Sequence, residues 1–196
     1  ENGAQKPEDP NKPVPTDSAT VTFTKDDNSI KAEGWDTVKP IIVKKGTAVP
    51  AEKFPNAEAK EGYKSVTWTP AKDTVVNADQ TFKASAAKNT KADQVTELGG
   101  LKAKDIAVWV GDQITWANGV EAKDAAKAAD IAKLLQGATV EDLSNRNSDT
   151  KGEYPGKLKV TFDDNSTIEV ENQMLYVYEN GAQKPEDPNK PVPTDS

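Results

Sequence analysis

The residues that could do chemistry here are few, and their types restrict what that chemistry could be. The chain holds no cysteine and no histidine. An ordinary zinc site needs thiolate or imidazole ligands, and Cys–His or Ser–His–Asp nucleophilic catalysis needs its base, so these classes are excluded. Paired acids are frequent among 32 carboxylates, and without a placed partner each reads as solvated surface. Asp26-Asp27-Asn28 and Asp163-Asp164-Asn165 invite a calcium reading. Neither has the alternating-acid spacing or the closing bidentate Glu of a calcium loop, and turn chemistry explains both. One autocatalytic reaction suits such a chain, a Lys–Asn isopeptide bond assisted by a buried acid. Asn172 with Lys102 or Lys104 is the pairing the sequence offers, and its mark would be the loss of one ammonia. Trp35, Trp68, Trp109 and Trp116 could form a sugar-binding face, but read better as core payload in modules short of Leu. Trp35 has the weakest periodic context and is expected to be the exposed one. No glycine-rich phosphate loop is present. The sequence thus assigns no catalytic, metal or cofactor site, leaves a ligand-binding site unknown, and predicts a protein that is not an enzyme.

Composition narrows the partners. There are 25 basic and 32 acidic residues, a net charge of −7, and a single arginine, Arg146. That is a poor nucleic-acid binder. No apolar run approaches the length of a membrane-spanning helix. No signal-peptide pattern opens the chain, so an exported protein would contain it as an internal fragment.

The first 18 residues, 1–18, recur without change as residues 179–196, an offset of 178. Chance cannot produce that identity. It predicts one unit of a tandem array of near-identical copies, followed by the start of the next. Eight of the 13 prolines lie in these two segments, with Pro7, Pro10, Pro13 and Pro15 matched by Pro185, Pro188, Pro191 and Pro193. Proline at this density fixes φ and removes donors, favouring extended chain. Each copy is therefore expected to be a semi-rigid, acidic linker. Leu, Ile, Val and Phe make up 35 of the 196 residues, a content that borders on disorder. The linkers contribute only Val14 and Val192 to it, so the intervening chain is foldable.

The body is expected to hold two modules, residues 19–88 and 89–178. In the first, residues 20–24 alternate with Val21 and Phe23 on one face, and 26–29 turn the chain into a hairpin with 30–32. Residues 40–43 read as a buried strand and 50–54 as one helical turn opened by Pro50. Residues 62–63, 66–68 and 81–84 supply further strands, with Tyr63 and Trp68 as core anchors. In the second module, 105–110 and 113–116 read as strands. Residues 121–136 read as the strong helix, with Ala128, Ile131, Ala132 and Leu135 on one stripe and Gly137 as its cap. A closing meander follows, 157–162 with Leu158, Val160 and Phe162 inward, then 167–170 and 174–178.

Two resemblances follow from these residues. The run 61–70, holding Gly62, Tyr63, Trp68 and Pro70, with 76–84, holding Thr81, Phe82 and Ala84, resembles repeat modules of Gram-positive LPXTG-type surface proteins. That likeness implies a small β-grasp-like fold, although Val66 and Thr67 stand where such modules carry a Gly before the Trp. Val110-Gly111-Asp112, residues 137–140 and the closing run 156–170 resemble the Rib-type, Ig-like module of such proteins. The turn at 162–165 and the inserted helix depart from that pattern and mark a longer variant. The fold class expected is mainly β: a β-grasp-like module and an Ig-like Rib-type module with one inserted helix, flanked by Pro-rich linkers. The resemblances imply a stalk repeat at the bacterial cell wall that projects an adhesive domain, its partners being neighbouring identical repeats. The alternative is a repeat that itself binds a host protein or glycan, or self-associates between cells.

Overall fold

The computed structural model describes residues 1–194. The chain divides into two compact units, Glu1–Asn89 and Thr90–Ser196, and is mainly β in both.

The first unit contains β1 (Ala4–Gln5), β2 (Ser18–Lys25), β3 (Ile41–Lys44), β4 (Thr47–Ala48), β5 (Tyr63–Thr69), β6 (Val75–Val76) and β7 (Gln80–Lys88). Five of them form a mixed sheet in the order β1-β3-β2-β7-β5. The two central strands, β2 and β7, run parallel, with Phe23 opposite Phe82. The alternation in β2 puts Ala19, Val21 and Phe23 into the core, as the period-2 pattern requires. Phe82 is fully buried. Phe54 packs edge-on against it at 5.1 Å and against Phe23 at 5.3 Å, the geometry ring quadrupoles favour. These phenylalanines anchor the core. Tyr63 and Trp68, expected as anchors, are half-buried. Trp68 packs on the rim of the cluster, 5.1 Å from Phe54. Trp35 joins the same rim, 6.1 Å from Trp68.

The 26–29 segment does turn the chain, but not into the expected hairpin. Ile30 makes a single bridge to Ala59, and β2 takes β3 as its antiparallel neighbour. Ser29, buried under the turn, gives its hydroxyl to Asp26 at 2.6 Å and accepts from the Ala86 amide at 3.0 Å. The turn therefore closes onto β7. Residues 51–53 form a 3-10 turn after Pro50.

The second unit contains α1 (Lys91–Glu97), β8 (Leu101–Ala103), β9 (Ile106–Trp109), β10 (Val120–Ala122), α2 (Ala128–Leu135), β11 (Thr139–Asp142), β12 (Gly152–Thr161) and β13 (Thr167–Tyr178). A four-stranded sheet runs β11-β12-β13-β9, with β13 parallel to β9. β8 and β10 form a separate ribbon. Leu158, Val160 and Phe162 all point inward and are buried. With Val95 and Ile131, Val160 and Phe162 form one cluster, and Ile106, Leu175 and Val177 form another.

Three expectations are corrected. Residues 113–116 are not a strand, and Trp116 instead opens a 3-10 turn. The helix is shorter than 121–136, because Val120–Ala122 pairs with β8 and Asp124 then caps the Ala126 amide at 3.0 Å. Of the predicted stripe, Ile131 is buried and Leu135 packs half-buried on the same cluster, while Ala128 and Ala132 are exposed. The closing meander is one hairpin, β12 with β13. β13 carries an extra residue where Gly156 pairs with Gln173 but Leu158 pairs with Val170. Asn172, at φ +58°, takes up the bulge. That residue switches the inward parity from Ile168 and Val170 to Gln173, Leu175 and Val177. The short helix α1 escaped the periodicity reading because it buries only Val95. Its signal was local: Thr90 accepts from the Asp93 amide and Asp93 bonds back to the Thr90 amide, a capping box.

Candidate functional site at the seats of the repeated segment

The residues singled out for chemistry are not assembled for it. Asn172, Lys102 and Lys104 are exposed, and Lys102 pairs with Glu121 at 3.5 Å. An isopeptide bond needs a desolvated amine beside a buried acid, and neither lysine is buried. Asp26 is held by Ser29, and Asp27 by Lys25 at 2.5 Å. Asp163 pairs with Lys91 at 2.6 Å. Asp164 accepts from the Ser166 amide and hydroxyl and from the Lys91 amide at 2.7 Å. These bonds, the Ser166 hydroxyl first, hold the Asp164 carboxyl down to about 2. Both acidic triplets are thus turn fasteners, and no group of acids among the described residues is placed to hold a metal. The tryptophans do not make one face. Trp35 and Trp68 serve the first unit's core. Trp109, 40% exposed, is the outward one, where Trp35 was expected.

A polar centre that sequence reasoning missed lies inside the second unit. Arg146 and Asp142 are 4% and 6% exposed, with Nη2 3.0 Å from Oδ1. Arg146 Nε also donates to Asp142, and Nη1 donates to the carbonyls of Tyr154 at 2.8 Å and Gln173 at 2.9 Å. Its guanidinium stacks on Trp116. Buried Gln173 donates to the Lys104 carbonyl at 2.9 Å. Gly156 makes room, since a Cβ there would stand 2.5 Å from the guanidinium carbon. The available signal was the chain's single Arg, four residues after an Asp. The centre ties the β11–β12 connection to the β12–β13 bulge and exposes no reactive group.

The surfaces with built polar contacts are the two seats that the repeated segment occupies. On the first unit, residues 1–6 are not free linker. Ala4 and Gln5 pair with Ile42 and Ile41 as an edge strand. The Gly3 amide donates to Ile42 at 2.8 Å and the Lys6 amide to Pro40 at 2.9 Å. Asn2 accepts from the Lys44 amide at 2.7 Å and donates to Thr47 at 3.2 Å. Gly3 is buried at φ +82°, and a Cβ there would meet Lys53 Cγ at 2.8 Å. Glycine is required on both counts.

On the second unit, the last copy lies against the C-terminal end of β13. Tyr178 gives its hydroxyl to the Pro191 carbonyl at 2.7 Å. Lys190 bonds Glu153 and stands 5.1 Å over the Tyr176 ring. That bond to Glu153 raises the Lys190 ammonium, and burial raises the Tyr176 phenol. Trp109, Tyr178, Val192 and Pro193 line one groove. The semi-rigid linker expected at 1–18 and 179–196 is therefore docked along part of each copy. The last two residues, 195 and 196, lie outside the described residues.

Residues 100–175 match the model of the Rib domain. This segment spans the Arg146 centre and all of the two buried clusters except Val95 and Val177. Rib domains occur in extracellular bacterial surface proteins, as a repeat family and not an enzyme family. No curated protein matches the chain. No helix among the described residues is long and apolar enough to cross a membrane.

Proposed function

We propose that the chain is one unit of a tandem array in a cell-wall-anchored, LPXTG-type bacterial surface protein, and that the unit is a spacer projecting an adhesive domain from the cell. Its first module, 19–88, is read as β-grasp-like, which the mixed sheet with parallel central strands supports. Its second, 89–178, is a long Rib-like module. The observation that carries the proposal is the duplicated segment. An identical 18-residue sequence at an offset of 178 joins small β modules, and stacking such units adds length one unit at a time. Near-identical copies let their number vary by recombination, which would tune the reach.

Small-angle scattering on one, two and three units tests this. A maximum dimension that grows linearly with unit number is expected. Compact or irregular growth would overturn the spacer reading in favour of repeats that themselves bind host protein, glycan or one another.

A further inference from the structure

We infer that each copy of the repeated segment is a two-handed connector that holds both modules it joins at once. Its first six residues add an edge strand to β3 of the module that follows. Its Lys-Pro-Val-Pro end seats on the Rib-type module that precedes. The inference rests on the repeat reading above and names the partner of each seat.

The same sequence in two settings supplies the comparison. In the first copy Gly3 is buried and Ala4 half-buried, while residues 8–17 are all exposed. In the second copy the pattern inverts. Gly181 and Ala182 are exposed, and Lys190, Pro191 and Pro193 are half-buried where Lys12, Pro13 and Pro15 were not. The backbone groups that bind β3 in the first copy are equally unused in the second. Among the described residues, the Gly181 and Lys184 amides have no backbone partner, whereas those of Gly3 and Lys6 do. In backbone hydrogen bonds and in the burial of these residues, the half that one module engages is the half that the other leaves open.

Local geometry lets the halves act together. The Gly3 turn, with Ala4 donating to Glu1, recurs at Gly181, with Ala182 donating to Glu179, at φ +82° and +87°. The Asp9 turn recurs at Asp187. Asn11 and Asn189 donate to the aspartate side chains at 2.9 and 2.8 Å, and Lys12 and Lys190 both donate to the carbonyl at 3.1 Å. Both turns survive a change of surroundings, so they are intrinsic to the segment. The two turns keep their form in both seats. Among paired side chains the overlap is one carboxylate, Glu1 with Lys53 at 3.3 Å and Glu179 with Lys151 at 3.0 Å, while exposed Ala182 and Gln183 also border the groove on the second unit. Exposed pairs of this kind are weak and exchangeable. Filling one seat raises the effective concentration of the other half at its own seat. The joint is then stiffened by docking, beyond the φ restriction of its prolines.

The test joins two units by ligation, unlabelled residues 1–178 followed by isotope-labelled residues 1–178. The labelled segment 1–18 is then the copy between two modules. A zero-length carbodiimide cross-link from its Lys12 to Glu153 of the preceding module reports the upstream seat as a mixed-isotope peptide. Amide exchange at its Gly3 and Lys6 reports the downstream seat. The expected result is the cross-link, together with exchange at both amides slowed on the order of tenfold or more against the free peptide, before and after cross-linking. Tyr178→Phe in the preceding module should lower the cross-link yield and leave the exchange unchanged. Gly3→Ala in the labelled segment should do the reverse. No cross-link, or loss of amide protection once the cross-link forms, overturns the inference. Linear growth in scattering with an unprotected joint would sink the connector and spare the spacer. A doubly held joint with irregular growth would do the opposite.

Discussion

The guanidinium of Arg146 lies 4.9 Å from the centroid of the Trp116 ring. That stacking, with the Asp142 pair beside it, converts the one arginine of the chain into the internal brace of the second unit. Removing one partner of a buried pair strands the other charge. Arg146→Ala should therefore cost about 3–5 kcal/mol, read by urea denaturation as early loss of the second unit alone. Arg146→Lys should recover only part of this, because an ammonium cannot reach Asp142 and two carbonyls with the same planar fork. Loss of less than about 1 kcal/mol in the Ala variant would mean that the pair is a surface-type contact.

Close packing predicts the next result. A Cβ on Gly119 would stand 2.7 Å from Leu158 Cδ1 and 3.1 Å from Ile106 Cδ1, with Gln173 Nε2 at 3.2 Å. Gly119→Ala should destabilise the second unit by about 1–3 kcal/mol through overpacking. Thermal unfolding that leaves this unit unchanged would contradict the packing.

In the first unit, Phe82 is completely buried and touches both Phe54 and Phe23. Phe82→Ala should cost about 3–5 kcal/mol and unfold the first unit at lower denaturant, with the second unit's transition in place. Trp68→Ala, at the half-exposed rim, should cost less than Phe82→Ala. The reverse order would return the anchor role to the tryptophan.

Acid should loosen the 163–166 turn from α1. The Asp164 carboxyl falls from an ordinary 3.8 to about 2 in the folded chain. Its contribution is present above the unfolded value and is lost as the pH drops through the folded one. A decline between pH about 4 and about 2 is expected, and Asp164→Asn should flatten that part of the pH–stability curve. An unchanged curve in the variant would show that other carboxylates set it.

The exposure of Asn172, Lys102 and Lys104 predicts an intact mass equal to that of the sequence. A mass lower by one ammonia would reveal an isopeptide bond that this arrangement does not favour.

What the sequence alone determined were properties that repeat or alternate within a short window. The duplicated segment, the inward faces of β2 and β12, the turn chemistry of the two Asp-Asp-Asn runs and the absence of Cys and His were all legible, because each is decided by covalent sequence and local dihedral preference. The Rib-type likeness was read on residues 110–112, 137–140 and the closing run 156–170, and the family match covers residues 100–175. Other features depended on which distant surface a segment meets. Nothing local says that β2 pairs β7 in parallel, that Asn172 flips the parity of β13, or that Arg146 turns inward to carbonyls eight and 27 residues away. The repeated segment shows the division most directly. Its two turns are the same in both copies because they close within a few residues. Which half of it is buried differs between copies, since burial requires a partner surface and only the tertiary structure supplies one.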